Sequence, residues 1–158
     1  MKKRILLIGI STFLAGLFFY YLGWSFSPGS YGKAEFYEFN IPEKELIEII
    51  NDVKKENSEL ELKSNNYTDY RDKFWYLIHF QYRDSNQIIK TWTRPKNKTA
   101  TTFAFVSYKN GYNSGKWIDA NEYFWWWKNS EAKEKFENRI LNKIDSEIKK
   151  RKPNNGYN

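Results

Sequence analysis

The stretch that decides the fold runs from Phe74 to Lys109: FWYLIHFQYR (74–83), DSN (84–86), QIIKTWTR (87–94), PKNK (95–98) and TTFAFVSYK (101–109). Three runs rich in aromatic and β-branched residues are separated by short clusters of Asp, Ser, Asn and Pro, the pattern of strands joined by turns. Connections this short cannot make the crossover that parallel strands need, so an antiparallel meander is expected. Within the first run Tyr76, Ile78, Phe80 and Tyr82 share one face, and Trp75, Leu77 and His79 share the other.

Working outward toward the N-terminus, Glu59–Lys63 (ELELK) reads as a short strand and Asn65–Lys73 as a polar loop. Pro42 opens a helix, because its missing N–H costs nothing in a first turn. Leu46, Ile47, Ile50 and Val53 form its apolar stripe, with acidic residues gathered at its start and Lys54 and Lys55 at its end. Glu35–Asn40 suits a first strand. In the other direction, Asn110-Gly111 and Ser114-Gly115 mark a longer turn before a short strand at Lys116–Asp119. A last helix is expected from a cap at Asn129 or Ser130, with Phe136, Ile140, Ile144 and Ile148 recurring every four residues beside Leu141. The expected fold class is α+β: one antiparallel meander sheet with two flanking helices on one face, over residues 33–151. Residues 152–158 read as a disordered tail.

Ahead of this domain stands ILLIGISTFLAGLFFYYLGW (5–24), without a charged residue. Twenty residues at about 1.5 Å each span about 30 Å, the hydrocarbon thickness of a bilayer. The basic start at residues 1–4 precedes it, and Tyr20, Tyr21 and Trp24 crowd its far end. A cleaved signal would carry a shorter apolar run and a small-x-small site. The nearest such site, Ser25-Phe26-Ser27, is followed by Pro28, so the reading favours an uncleaved anchor over a signal peptide or a buried helix. Lys2, Lys3 and Arg4 lie before the span, while Lys33 is opposed by Glu35 after it. That bias sets the N-terminus in the cytoplasm and the domain outside it, in the plasma or inner membrane if the source is bacterial. Residues 25–32 form a turn-rich linker. Gly9, Gly16 and Gly23, with Thr12, share one helix seam that would allow a helix–helix contact, a homodimer included.

The net charge of +7 resides at the two ends of the chain. Without Lys2, Lys3, Arg4 and the run Lys149–Lys152, basic and acidic residues balance, which argues against a nucleic-acid-binding face. Cysteine is absent, which excludes disulfides, a thiol nucleophile and a cysteine metal site. The one histidine, His79, cannot build a zinc site alone. Asp69 and Asp72, with Glu59 and Glu61 upstream, lack the spacing of a calcium loop; carboxylates such as Asp69 and Asp72 would serve a carboxylate-based hydrolase, a less favoured reading. No phosphate loop or nucleophile elbow is present, and no cofactor is expected.

Two surfaces stand out. From Ser85 to Ile118 there is no Asp or Glu, and Lys90, Arg94, Lys96 and Lys98 are interleaved with Trp92. Such a surface suits anionic headgroups, an anionic or sugar-containing envelope polymer, or an acidic protein. The second is Tyr123-Phe124-Trp125-Trp126-Trp127, in which neighbouring rings cannot all enter one core. At least one of Trp125, Trp126 and Trp127 is expected to be exposed. Together these point to a non-catalytic interaction domain on a single-pass anchor, with a protein partner in the envelope or membrane expected first and a polymer ligand second.

Overall fold

A computed structural model describes residues 2–25, 31–62, 67–111 and 115–151. Residues 26–30 of the expected linker, the tail at 152–158, Lys63 of the expected strand with the loop residues up to 66, and residues 112–114 of the expected turn lie outside the described residues. The chain forms two units, divided after Gly32.

The first unit is a single helix, α1 (Lys2–Ser25). Its stretch Lys3–Gly23 is long and apolar enough to cross a membrane, and none of it is buried against protein. A β-carbon added at Gly9, Gly16 or Gly23 would meet nothing within 4 Å, so the glycine seam is an open stripe. Thr12 donates its hydroxyl to the carbonyl of Ile8 at 2.9 Å, which satisfies it within its own helix.

The second unit is α+β. Its elements are β1 (Glu35–Phe39), α2 (Glu43–Glu56), β2 (Tyr70–Arg71), β3 (Tyr76–Tyr82), β4 (Gln87–Pro95), β5 (Thr101–Asn110) and β6 (Ile118–Asp119), followed by α3 (Trp127–Phe136), a π-helical turn (Glu137–Leu141) and α4 (Asn142–Arg151). β2, β3, β4 and β5 form the antiparallel meander, and β1 returns to the far edge of β5. β1 and β6 share that edge: β1 takes Thr101–Phe105 and β6 takes Ser107 and Tyr108. Between them the β4–β5 register shifts from Ser107 to Phe105, leaving Val106 outside the ladder, and its carbonyl accepts the N–H of Ala120 at 2.9 Å.

One sheet face carries Phe39, Ile78, Phe80, Tyr82, Ile89, Phe103 and Phe105 into a core with Leu46, Ile49, Ile50 and Val53 of α2 and Phe136, Ile140 and Ile144 of the last helical run. Phe105 and Phe136 stack with centroids 4.6 Å apart. Residues spaced by four drift about 40° per step around an α-helix with 3.6 residues per turn. The π turn, closed by the Asn142 N–H on the Glu137 carbonyl, absorbs that drift and brings both Ile140 and Leu141 inward.

The opposite sheet face is also covered, a difference from the expected fold: Leu77, His79, Gln81, Ile88, Trp92, Ala104, Ser107 and Lys109 are all buried. Tyr67 rests on His79 at 5.5 Å and meets Trp117 at 6.2 Å, while Trp75 and Phe36 flank Trp92. Two further expectations change. Tyr70–Arg71, expected as loop, pairs with β3. Glu59–Leu62, expected as strand, is turn and bend, and contributes one bond, Leu60 accepting the Gln81 N–H at 3.0 Å. Beyond β2 the edge of β3 is closed by that carbonyl and by Asp69, whose Oδ1 accepts the His79 N–H at 2.8 Å. An edge capped this way offers no template for another strand there.

Candidate interaction surfaces

The basic stretch is only partly a surface. Trp92, expected among the contact residues, is 5% exposed, and its ring lies against Trp75 and Phe36. Its strand position turns it to the second sheet face, which the alternation of β4 could not reveal as covered. Lys90 shares that face, half-buried, with its ammonium 5.8 Å from the Trp117 ring. Lys96 pairs with Glu38 at 2.5 Å across the β1 edge. Arg94 and Lys98 are exposed on and beside the β4–β5 turn. What reaches solvent is therefore the turn itself, at the end of β5 opposite Ser107.

The aromatic run behaves differently. Trp125, Trp126 and Trp127 are all exposed, Trp126 to 68%, and Tyr123 joins them. Trp125 and Trp127 stack at 4.9 Å, Trp126 stands edge-on to Trp127 at 6.0 Å, and Phe124 stands edge-on to Trp125. Asn129 explains why the rings face outward. It does not cap α3, which starts at Trp127. Buried instead, it accepts the Tyr123 N–H at 3.0 Å and donates its amide to the Tyr123 carbonyl at 2.8 Å. That two-bond clamp folds the 123–129 loop back on the helix and turns the rings away from the core.

The titratable groups are used structurally. Asp69 accepts Lys54 at 2.6 Å as well as the His79 backbone, so it is committed to the sheet edge. Asp72 accepts the N–H of Lys73 and donates its own N–H to the Trp75 carbonyl. Burial pushes His79 down from its ordinary value of 6.5 to about 4; Asp69 opposes this, with Nδ1 3.9 Å from Oδ1, while Lys90 and Lys54 reinforce it. The imidazole is therefore neutral at ordinary pH and packs beneath the Tyr67 ring. Among the described residues no cluster of His, Asp or Glu could hold a metal ion.

Two clefts adjoin the helices. One, of about 130 Å³, is floored by Ile89 and Phe105 and rimmed by Lys128, Glu131 and Lys135. It is small beside the few hundred Å³ that a drug-sized ligand fills. The other, of about 330 Å³, is bounded by charges that pair with each other, Arg139 with Asp84 and Lys143 with Glu59. The Arg139 guanidinium holds the Asp84 carboxyl well below the usual carboxylate range.

Sequence reasoning missed one feature that matters for these surfaces. Asn121 ties the loop before the tryptophans to the first residues of the domain, donating its N–H to Lys33 at 2.9 Å and its side-chain amide to Ala34 and Glu35. No local pattern joins positions so far apart in sequence. No protein family, no curated protein and no solved structure matches this chain.

Proposed function

We propose that the protein is a single-pass, membrane-anchored, non-catalytic interaction module of a cell envelope or membrane complex. In this reading α1 is an uncleaved anchor with a cytoplasmic N-terminus, and the α+β domain, with its meander and flanking helices, works on the far side of the membrane. The observation that carries the binding role is the β4–β5 turn. It projects Arg94 and Lys98 into solvent at the end of the sheet remote from Lys33, where the chain arrives from α1. Two exposed cations beside the Glu38–Lys96 pair suit an acidic protein surface, because such charge steers encounter and sets register.

An anionic envelope polymer is the second reading, favoured by the same two cations. Photo-crosslinking from position 98 in intact cells separates the two. Discrete protein adducts support the module, and adducts only with polymer move the ligand to the second reading. If a crosslinker at the buried position 92 gives the same adducts as position 98, the turn is not the contact. Protease applied outside sealed membranes tests the topology, and an undigested domain refutes it.

A further inference from the structure

The aromatic cluster lies at the end of the domain where the chain arrives. Trp125 follows Asn121 by four residues, and Asn121 is bonded to Lys33, so the Trp125 backbone lies within about 14 Å of that bond. The helix axis leads the same way. Lys133 contacts Glu35 at the start of β1, and Glu137 contacts Tyr37 two residues further along it. Going back from Lys133 to Trp127 therefore leads away from Tyr37 by about 9 Å, past the first residue of the strand. Seven residues separate Ser25 from Lys33 in the sequence, a reach of at most about 28 Å.

We infer that Tyr123, Trp125, Trp126 and Trp127 seat in the boundary between headgroups and acyl chains of the bilayer that carries α1; this rests on the anchored reading above. Seven intervening residues limit how far the arriving end can stand from the end of α1, and the rings are on that end. Indole and phenol suit this layer because an apolar body and a polar N–H or O–H are both satisfied there. Lys128 stands 6.0 Å from the Tyr123 ring, and Lys33 and Lys116 pair with Glu122 on the same loop, so cations adjoin the rings, as suits a layer of anionic headgroups. Seating the rings restricts swivelling about the tether and directs the β4–β5 turn, at the other end of β5, away from the membrane.

The absence of cysteine makes single labels straightforward. Full-length S11C, K98C and K128C chains carry one nitroxide each in vesicles of phosphatidylcholine and phosphatidylglycerol, and collision with oxygen is compared with collision with a water-soluble nickel chelate. The label at 11 should be oxygen-rich and shielded from nickel. The label at 128 should collide with nickel several-fold less than that at 98, and W125A/W126A/W127A should raise it to the level of 98. Should the triple variant unfold, W126S changes only the most exposed ring and gives the same readout. Equal nickel collision at 128 and 98, with 11 in hydrocarbon, overturns the lipid seat and leaves the anchor standing. A nickel-accessible label at 11 removes the anchor, and the seat with it. Shielding of 128 in native membranes but not in vesicles assigns the rings to a protein and overturns the proposal.

Discussion

Acidification should unload the domain through His79. The residue is 5% exposed, its ring faces Tyr67, and burial holds it at about 4, with Lys90 and Lys54 adding to the depression and Asp69 opposing it. In the unfolded chain the same group takes its proton near 6.5. Between these values the unfolded state binds the proton and the folded state refuses it, so stability rises with pH across that window. The contribution is complete above about 6.5, falls as the pH drops toward 4, and is constant below that. At about 1.4 kcal/mol per pH unit the loss is about 3 kcal/mol, on the order of 10 °C in Tm for a domain this size. Asp119, raised by burial, contributes with the opposite sign at the acid end, so the wild-type profile alone is not diagnostic. The difference between wild type and H79Q is, since Gln keeps the volume and cannot titrate. Urea unfolding of residues 33–158 from pH 7.5 to 4 should show a steeper decline for the wild type, by about 3 kcal/mol over the window. Parallel profiles would refute the burial argument.

Three other outcomes follow from contacts described above. F136A, which removes the ring stacked on Phe105, should lower unfolding free energy by about 3–5 kcal/mol in the same urea assay. D69A strands the part-buried Lys54 ammonium and uncaps the His79 N–H; a loss of about 2–3 kcal/mol is expected, with faster amide exchange at His79 than in D69N, which keeps an acceptor. W125A/W126A/W127A should lower the unfolding free energy by less than about 1 kcal/mol, since exposed rings contribute little to folding; a larger loss would return them to the core.

How far the fold could be read from the chain varied with the range of the interaction. The meander was legible because β3, β4 and β5 are joined by turns of a few residues and carry their own period. The α2 stripe was legible for the same reason, and so was the last helical run from Phe136, Ile140 and Ile144, but not its π turn. What could not be read was the cover over the second sheet face. The β3–β4 register puts Trp92 and His79 on one face, and whether that face meets water depends on Tyr67 and Trp75, which pack there from other segments. Hence Trp92 looked like a contact residue and is a buried one. The aromatic run gave the opposite case. Its crowding required an exposed ring, and the structure exposes all three tryptophans because Asn129 is spent on the Tyr123 backbone rather than on a helix cap.

The pairing of β1 with β5 has a mechanical consequence. The tether meets the domain at Lys33, the start of β1, while the β4–β5 turn sits at the start of β5, beyond Phe39 and Thr101. A pull between a bilayer and something gripping that turn therefore runs along both strands in opposite senses. Such a load shears the five residue pairs from Glu35–Phe105 to Phe39–Thr101 together instead of unzipping them one after another. A load applied between Lys33 and that turn is thus met by all five pairs at once.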